Sequence, residues 1–96
     1  MKSEAQQSRD ADLYLARQFG HAFVREKNSH QVRADFNRVF KDDGEALEQF
    51  EHGVVEEDQK RLALGMTPEA FHAYHLAKQT AHTAKRRAHG SNSVQP

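Results

Sequence analysis

The chain has 96 residues, a formal net charge of zero and no cysteine, with 36% hydrophobic and 29% charged residues. A chain of this length forms one domain with a modest core, and the lack of cysteine excludes disulfides and thiolate metal ligands. No stretch is long and apolar enough for a signal peptide or a membrane span, so we expect a cytoplasmic protein without membrane attachment.

The apolar residues recur at helical spacing and predict an all-α fold, a small single-domain bundle of four or five short helices. We expect a flexible segment over residues 1–9, a helical domain over 10–88 and a flexible tail over 89–96. The first helix is predicted to begin at Asp10 or Asp12 and to end near Asn28. Its apolar stripe comprises Leu15, Phe19, Ala22 and Phe23.

Two further helices are predicted before residue 65. Ser29 is the expected cap of the second, whose apolar face ends where Asp42, Asp43 and Gly44 interrupt the pattern. Asp43 is the expected cap of the third, and Gly53 is a position at which that helix would divide. The predicted core of the whole chain comprises Leu15, Phe19, Phe23, Val32, Phe36, Val39, Phe40, Leu47, Phe50, Leu62, Phe71 and Tyr74.

The segment RLALGMTPEAFHAYHL, residues 61–76, predicts a helix end, a sharp corner and a new helix. Gly65 suits the left-handed position after a helix, and Thr67 followed by Pro68 is typical of a helix start. The last helix is expected to run from Pro68 to about Ala88 and to be long, basic and rich in alanine. Its alanines fall in one narrow stripe, comprising Ala70, Ala73, Ala77, Ala81, Ala84 and Ala88.

Charge is unevenly distributed along the chain. Residues 42–58 carry eight carboxylates and no Lys or Arg, whereas residues 59–96 carry six Lys or Arg and one Glu. Such separation favours contacts between opposite charges, within the fold or with a partner. We therefore predict two partner-binding sets: the basic helix residues Lys78, His82, Lys85, Arg86 and Arg87, and the acidic residues Glu45, Glu48, Glu51, Glu56 and Glu57.

The functional hypothesis is a small non-enzymatic accessory or adaptor protein that binds another protein or itself through these two sets. The basic helix would leave the bundle after Leu76, because it has only alanine methyls to bury beyond that residue. It also offers phosphate contacts to nucleic acid. An acidic run of this kind is more often only the solvated side of a helix, and a basic helix end is often solvated too.

The alternative is a DNA-binding regulator, because the segment around Gly65 resembles the turn of a helix-turn-helix, with Phe71 packed inside. The resemblance covers about twenty residues, and two features depart from it. Arg61 stands where that motif usually has a small residue. The first turn of the second helix carries Glu69 and no Arg, Asn or Gln that would read a base edge.

Catalysis and metal binding have little support in the sequence. His72 and His75 have a spacing that can place two imidazoles on one metal ion, but no third ligand is close in sequence and the ordinary interpretation is solvated histidines. No nucleophile with an adjacent base, and no pair of carboxylates in an apolar setting, is recognisable. We predict no catalytic residue, no metal and no cofactor.

Overall fold

The fold is all-α, as predicted from the helical spacing of the apolar residues. A computed structural model describes the backbone of residues 3–94 and the side chains of residues 3–83. Within residues 3–94 the chain forms four helices and no strand: α1 (Glu4–Arg25), α2 (Ser29–Val39), α3 (Gly44–Ala63) and α4 (Pro68–Val94). Helix α1 is central, because it packs most extensively against α3 and also contacts α2 and α4.

Helix α1 begins earlier than the predicted start at Asp10 or Asp12. The hydroxyl of Ser3 accepts a hydrogen bond from the backbone N–H of Gln6, at 3.1 Å, and caps the helix. The helix therefore includes most of the segment that we expected to be flexible. Apolar periodicity gave no sign of these turns, since residues 4–8 contain only one apolar side chain, that of Ala5.

The caps and breaks of α2 and α3 agree only in part with the sequence. Asn28, and not Ser29, is the cap residue of α2, and Ser29 is the first residue of that helix. Asp43 caps α3 as predicted, because its carboxylate accepts a hydrogen bond from the backbone N–H of Ala46 at 3.2 Å. Helix α3 is continuous through Gly53, so Gly53 does not divide it.

Helices α1 and α3 cross at two buried glycines, Gly20 and Gly53. A Cβ atom on Gly20 would overlap the Phe50 carbonyl oxygen and lie 2.9 Å from the backbone nitrogen of Val54. A Cβ atom on Gly53 would overlap the carbonyl oxygen of Arg17. The two helix backbones are therefore in direct contact, which only glycine permits at these positions.

A cluster of phenylalanines fills the space between α1, α2 and α3. Phe36, Phe40 and Phe50 are buried together with Ala16 and Ala46, and Phe19, Phe23, Leu47 and Val54 pack against them. The Phe36 and Phe50 ring centroids are 4.6 Å apart. All of these phenylalanines were predicted as core. Ala16 and Ala46, two small residues packed between the helices, were not.

Three residues predicted as core are exposed instead: Leu15 is 45% exposed, Val39 52% and Leu62 61%. In α1 the glycine contact turns Ala16 and Gly20 toward α3, and Leu15 lies off that line. Val39 and Leu62 stand in the last turns of their helices, where no described element covers them. Spacing along a helix identifies an apolar stripe, but the contacts with neighbouring helices decide which residues of that stripe are buried.

The corner before α4 is built as the sequence predicts. Gly65 has a positive φ of 67°, and the Thr67 hydroxyl accepts a hydrogen bond from the backbone N–H of Ala70 at 3.2 Å. Phe71 is 1% exposed, so the start of α4 is anchored. The radius of gyration is 16.8 Å, compared with about 12.5 Å for a compact domain of this length. The molecule is therefore elongated.

Candidate protein-interaction surfaces

The part of α4 that follows His75 is uncovered as far as its side chains are described. All side chains from Leu76 to Thr83 are exposed, and Leu76 itself is 64% exposed. Lys78 and His82, two of the predicted basic residues, lie in this stretch. The Lys78 Nζ atom is 5.0 Å from the centroid of the Tyr74 ring, so it contacts a side chain of its own helix and makes no ion pair with a described residue.

The remaining members of the basic set are Lys85, Arg86 and Arg87, and their side chains lie outside the described residues. The same holds for Ala84 and Ala88 of the alanine stripe. The described members of that stripe, Ala70, Ala73, Ala77 and Ala81, are all exposed. The four described alanines of the stripe are therefore uncovered.

Two residues of the predicted acidic set are not free at the surface, because one is buried and the other is paired with an arginine of α1. Glu57 is 2% exposed, and Glu56 forms a two-bond ion pair with Arg17 of α1, in which Arg17 Nε donates at 2.7 Å. The hydrogen bonds from Arg17 lower the pKa of Glu56 to about 2. A surface role for Glu57 disagrees with its burial, and Glu56 already has an internal partner.

The buried carboxylate of Glu57 joins three helices. His21 Nδ1 of α1 lies 2.6 Å from it. Lys60 Nζ of α3 lies at 3.7 Å and His75 Nε2 of α4 at 3.6 Å, both beyond hydrogen-bonding distance. Burial, more than any nearby charge, lowers the pKa of His75. The His75 Nε2 atom is buried and has no hydrogen-bond partner among the described residues, so the first turns of α4 are held on the bundle by the packing of Phe71 and His75.

Asp43 is bound by Arg9 through two hydrogen bonds of 2.8 Å. These bonds and that from the Ala46 backbone lower the pKa of Asp43 to about 2. The pair joins the first half of α1 to the cap of α3, and sequence reasoning missed it, because no local pattern connects residues so far apart. Glu45, 3.6 Å from Arg9, remains largely exposed, with a side-chain exposure of 73%.

Glu48 and Glu51 belong to a continuous exposed surface of α3. Residues spaced by three and four positions along this helix are all exposed, and we call them the outer face of α3: Glu48, Glu51, His52, Val55, Gln59 and Leu62. Val55 is 55% and Leu62 61% exposed. The outer face is acidic toward its N-terminal end and partly apolar toward its C-terminal end.

A half-open cleft of about 610 Å³ lies between the end of α1 and the first turns of α4. We call it the α1/α4 cleft, and it is lined by Arg25, Glu26, Lys27, Glu69, His72, Ala73, His75, Leu76 and Gln79. The Nε atom of Arg25 is buried and has no hydrogen-bond partner among the described residues. Sequence reasoning did not single out Arg25, because a basic residue in the last turn of a helix is ordinary.

Arg61 gives the corner before α4 a rigid internal support. Its Nε donates to Asp58 and its Nη1 to the Met66 carbonyl oxygen, both at 2.8 Å. Helix α4 packs more on α1 than on α3. A helix-turn-helix packs its two helices closely against each other beside a small residue, and the position of that small residue is occupied here by this hydrogen-bonded arginine.

Within the part of the chain that the structure describes, no group of three or more His, Cys, Asp or Glu residues could hold a metal ion. Of the two histidines with metal-ligand spacing, His72 lines the α1/α4 cleft and His75 faces Glu57. Among those same residues, none of the helices combines the length and apolar character needed to cross a bilayer.

The chain was compared with protein-family models, with curated proteins and with solved structures, and nothing in any of the three comparisons matched it. The function of the chain is therefore inferred from the chemistry of its surfaces.

Proposed function

We propose that this is a small, non-enzymatic accessory protein of the cytoplasm that binds another protein, or a second copy of itself, through α4 and the outer face of α3. The observation that carries the proposal is the uncovered run from Leu76 to Thr83. An exposed leucine on a helix with cations and small side chains suits docking against another protein surface.

The distribution of ion pairs supports the same proposal. Five carboxylates of the acidic run have internal ion-pair partners, namely Asp43, Glu45, Glu56, Glu57 and Asp58. Glu48 and Glu51 have no such partner among the described residues, and neither does Lys78. Opposite charges that are left free at separate surfaces favour complementary contacts between molecules and increase their association rate.

The alternative function is a DNA-binding regulator of helix-turn-helix type, and the well-formed corner at Gly65 and Thr67 is the observation that favours it. The arginine at residue 61 and the position of Glu69 in the first turn of α4 weigh against base reading. Binding through the basic end of α4 would contact phosphates without distinguishing sequences, and would weaken steeply with salt.

Affinity capture from cells that produce the protein distinguishes the two functions. We would compare the full-length chain, Lys78→Gln/Lys85→Gln in α4, and the control Arg38→Gln/Lys41→Gln, which also removes two cations but outside α4. We expect a protein partner that survives nuclease treatment, is lost with the α4 variant and is kept with the control. Release of the captured material by nuclease would favour the DNA-binding alternative, and equal capture by both variants would exclude the α4 cations from the interface.

A further inference from the structure

The α1/α4 cleft contains a cation without an internal partner. The Arg25 guanidinium makes no hydrogen bond or ion pair with any described residue, although its Nε is buried. A buried donor without an acceptor is costly, and the two outer nitrogens of this guanidinium, which are not buried, can still bind an incoming acceptor. Lys27 lines the same cleft, and Leu76, which is 64% exposed, lies beside them. Glu26 and Glu69 line the same cleft and balance these two cations in charge, so what the cleft offers a partner is an arginine without an internal partner next to apolar surface.

The outer face of α3 has the complementary properties. Glu48 and Glu51 provide exposed carboxylates, and Val55, one helical turn after Glu51, provides exposed apolar surface. Arginine binds carboxylates through two parallel hydrogen bonds, which gives such a contact direction as well as strength. Within one chain both surfaces are exposed, so they do not cover each other. A second copy would bring the two surfaces together.

We propose that the protein self-associates by placing the outer face of α3 of one copy in the α1/α4 cleft of another. Glu48 and Glu51 then meet Arg25 and Lys27, and Val55 lies against Leu76. Glu26 and Glu69 also line the cleft and would repel the incoming carboxylates, so the pairing requires Glu48 and Glu51 to contact Arg25 and Lys27 directly. This proposal rests on the proposed function and identifies the binding partner as a second copy of the chain.

The same contact made twice about a two-fold axis gives a closed dimer, because each copy then offers one cleft and one outer face. A contact that does not close would give longer assemblies whose size grows with concentration. Both forms are held by the same charge pairs and weaken with added salt, because the pairs are at the surface.

The test is sedimentation velocity of the full-length protein over a wide concentration range, with two charge-reversed variants. Arg25→Glu/Lys27→Glu reverses the cleft, and Glu48→Lys/Glu51→Lys reverses the outer face. We expect concentration-dependent association of the unaltered protein, weakened about tenfold or more in each variant alone. Mixing the two variants should restore it, because every contact in the mixed dimer is again between opposite charges.

The control Glu4→Lys/Asp12→Lys reverses two carboxylates on α1 and should associate as the unaltered protein does. Circular dichroism checks that each variant is folded. A protein that is monomeric at every concentration overturns the proposal but leaves the capture experiment to decide the proposed function. Association that neither variant weakens, or that the mixture does not restore, also overturns the pairing.

Discussion

At the scale of single residues, Gly20 and Gly53 set the distance between α1 and α3. Each would place an added Cβ atom onto a backbone carbonyl oxygen of the other helix, and backbone atoms cannot rotate away as the end of a side chain can. Gly44, by contrast, has nothing within 4 Å of such an atom. Alanine substitution at these glycines therefore compares two positions in direct helix contact with one position in open space.

We predict that Gly20→Ala and Gly53→Ala each destabilise the protein by at least about 3 kcal/mol, because the helices must separate and the phenylalanine cluster loosens. The control Gly44→Ala should be neutral or slightly stabilising, since alanine favours helix and meets no neighbour. Urea unfolding followed by circular dichroism measures all three. Equal stability of the three variants would contradict the close contact between α1 and α3.

The core residues show what the sequence could and could not predict at this scale. Phe36, Phe40 and Phe50 were found because large apolar side chains at helical spacing have a strong reason to be buried. Gly53 was interpreted only as a position at which its helix would divide, because a glycine that permits close packing and one that weakens a helix look alike in a sequence. The helix-to-helix distance that separates these roles is a tertiary property.

At the scale of whole elements, α4 divides into an anchored and an uncovered part. Phe71 and His75 attach its first two turns to the bundle, whereas every side chain described after His75 is exposed. The first part serves the fold, and the second is free to serve binding.

We predict that a chain ending at Ala77 stays folded and loses at most about 1 to 2 kcal/mol, because it retains Phe71 and His75 and every described side chain that it gives up is exposed. A chain ending at Ala70 should lose its cooperative unfolding, since Phe71 is removed and Glu57 loses a neighbour. Thermal melts compare the two. An unfolded chain ending at Ala77 would mean that the alanine stripe is part of the core.

Helix starts were predictable where the cap acts locally. Asp43 and Thr67 bind backbone N–H groups three residues away, so the sequence contains the whole motif. The candidate surfaces were predictable only in part. Lys78, Glu48 and Glu51 are exposed as expected, but Glu57 is buried because α1 and α4 bring His21 and His75 to it. Contacts between distant helices decide which charges of a run remain free.

At the scale of the whole molecule, ion pairs between helices make stability dependent on pH. The pKa values of Asp43 and Glu56 are lowered to about 2 by Arg9 and Arg17, from ordinary values of 3.8 and 4.5. Because the folded state lowers these pKa values, both ion pairs contribute fully to the stability of the fold above about pH 4.5. Their contribution is lost as the pH falls toward 2.

We predict that the melting temperature of the protein falls between pH 5 and pH 2, and that Asp43→Asn/Glu56→Gln falls less steeply over this range. Asparagine also caps helices, so the start of α3 is retained. The control Glu48→Gln/Glu51→Gln removes two carboxylates without breaking an internal ion pair, and should keep the slope of the unaltered protein. Parallel pH profiles for all three proteins would show that these ion pairs do not govern acid unfolding.

The contact between Gly20 and Gly53 also limits how this sequence can diverge in evolution. A surface charge can be replaced at little cost, and a core phenylalanine can be exchanged for another large apolar residue if its neighbours adjust. Neither glycine has a substitute that keeps the helices at this distance. Relatives that retain the fold will therefore keep both glycines after most other positions have changed, and the pair provides a pattern for recognising them.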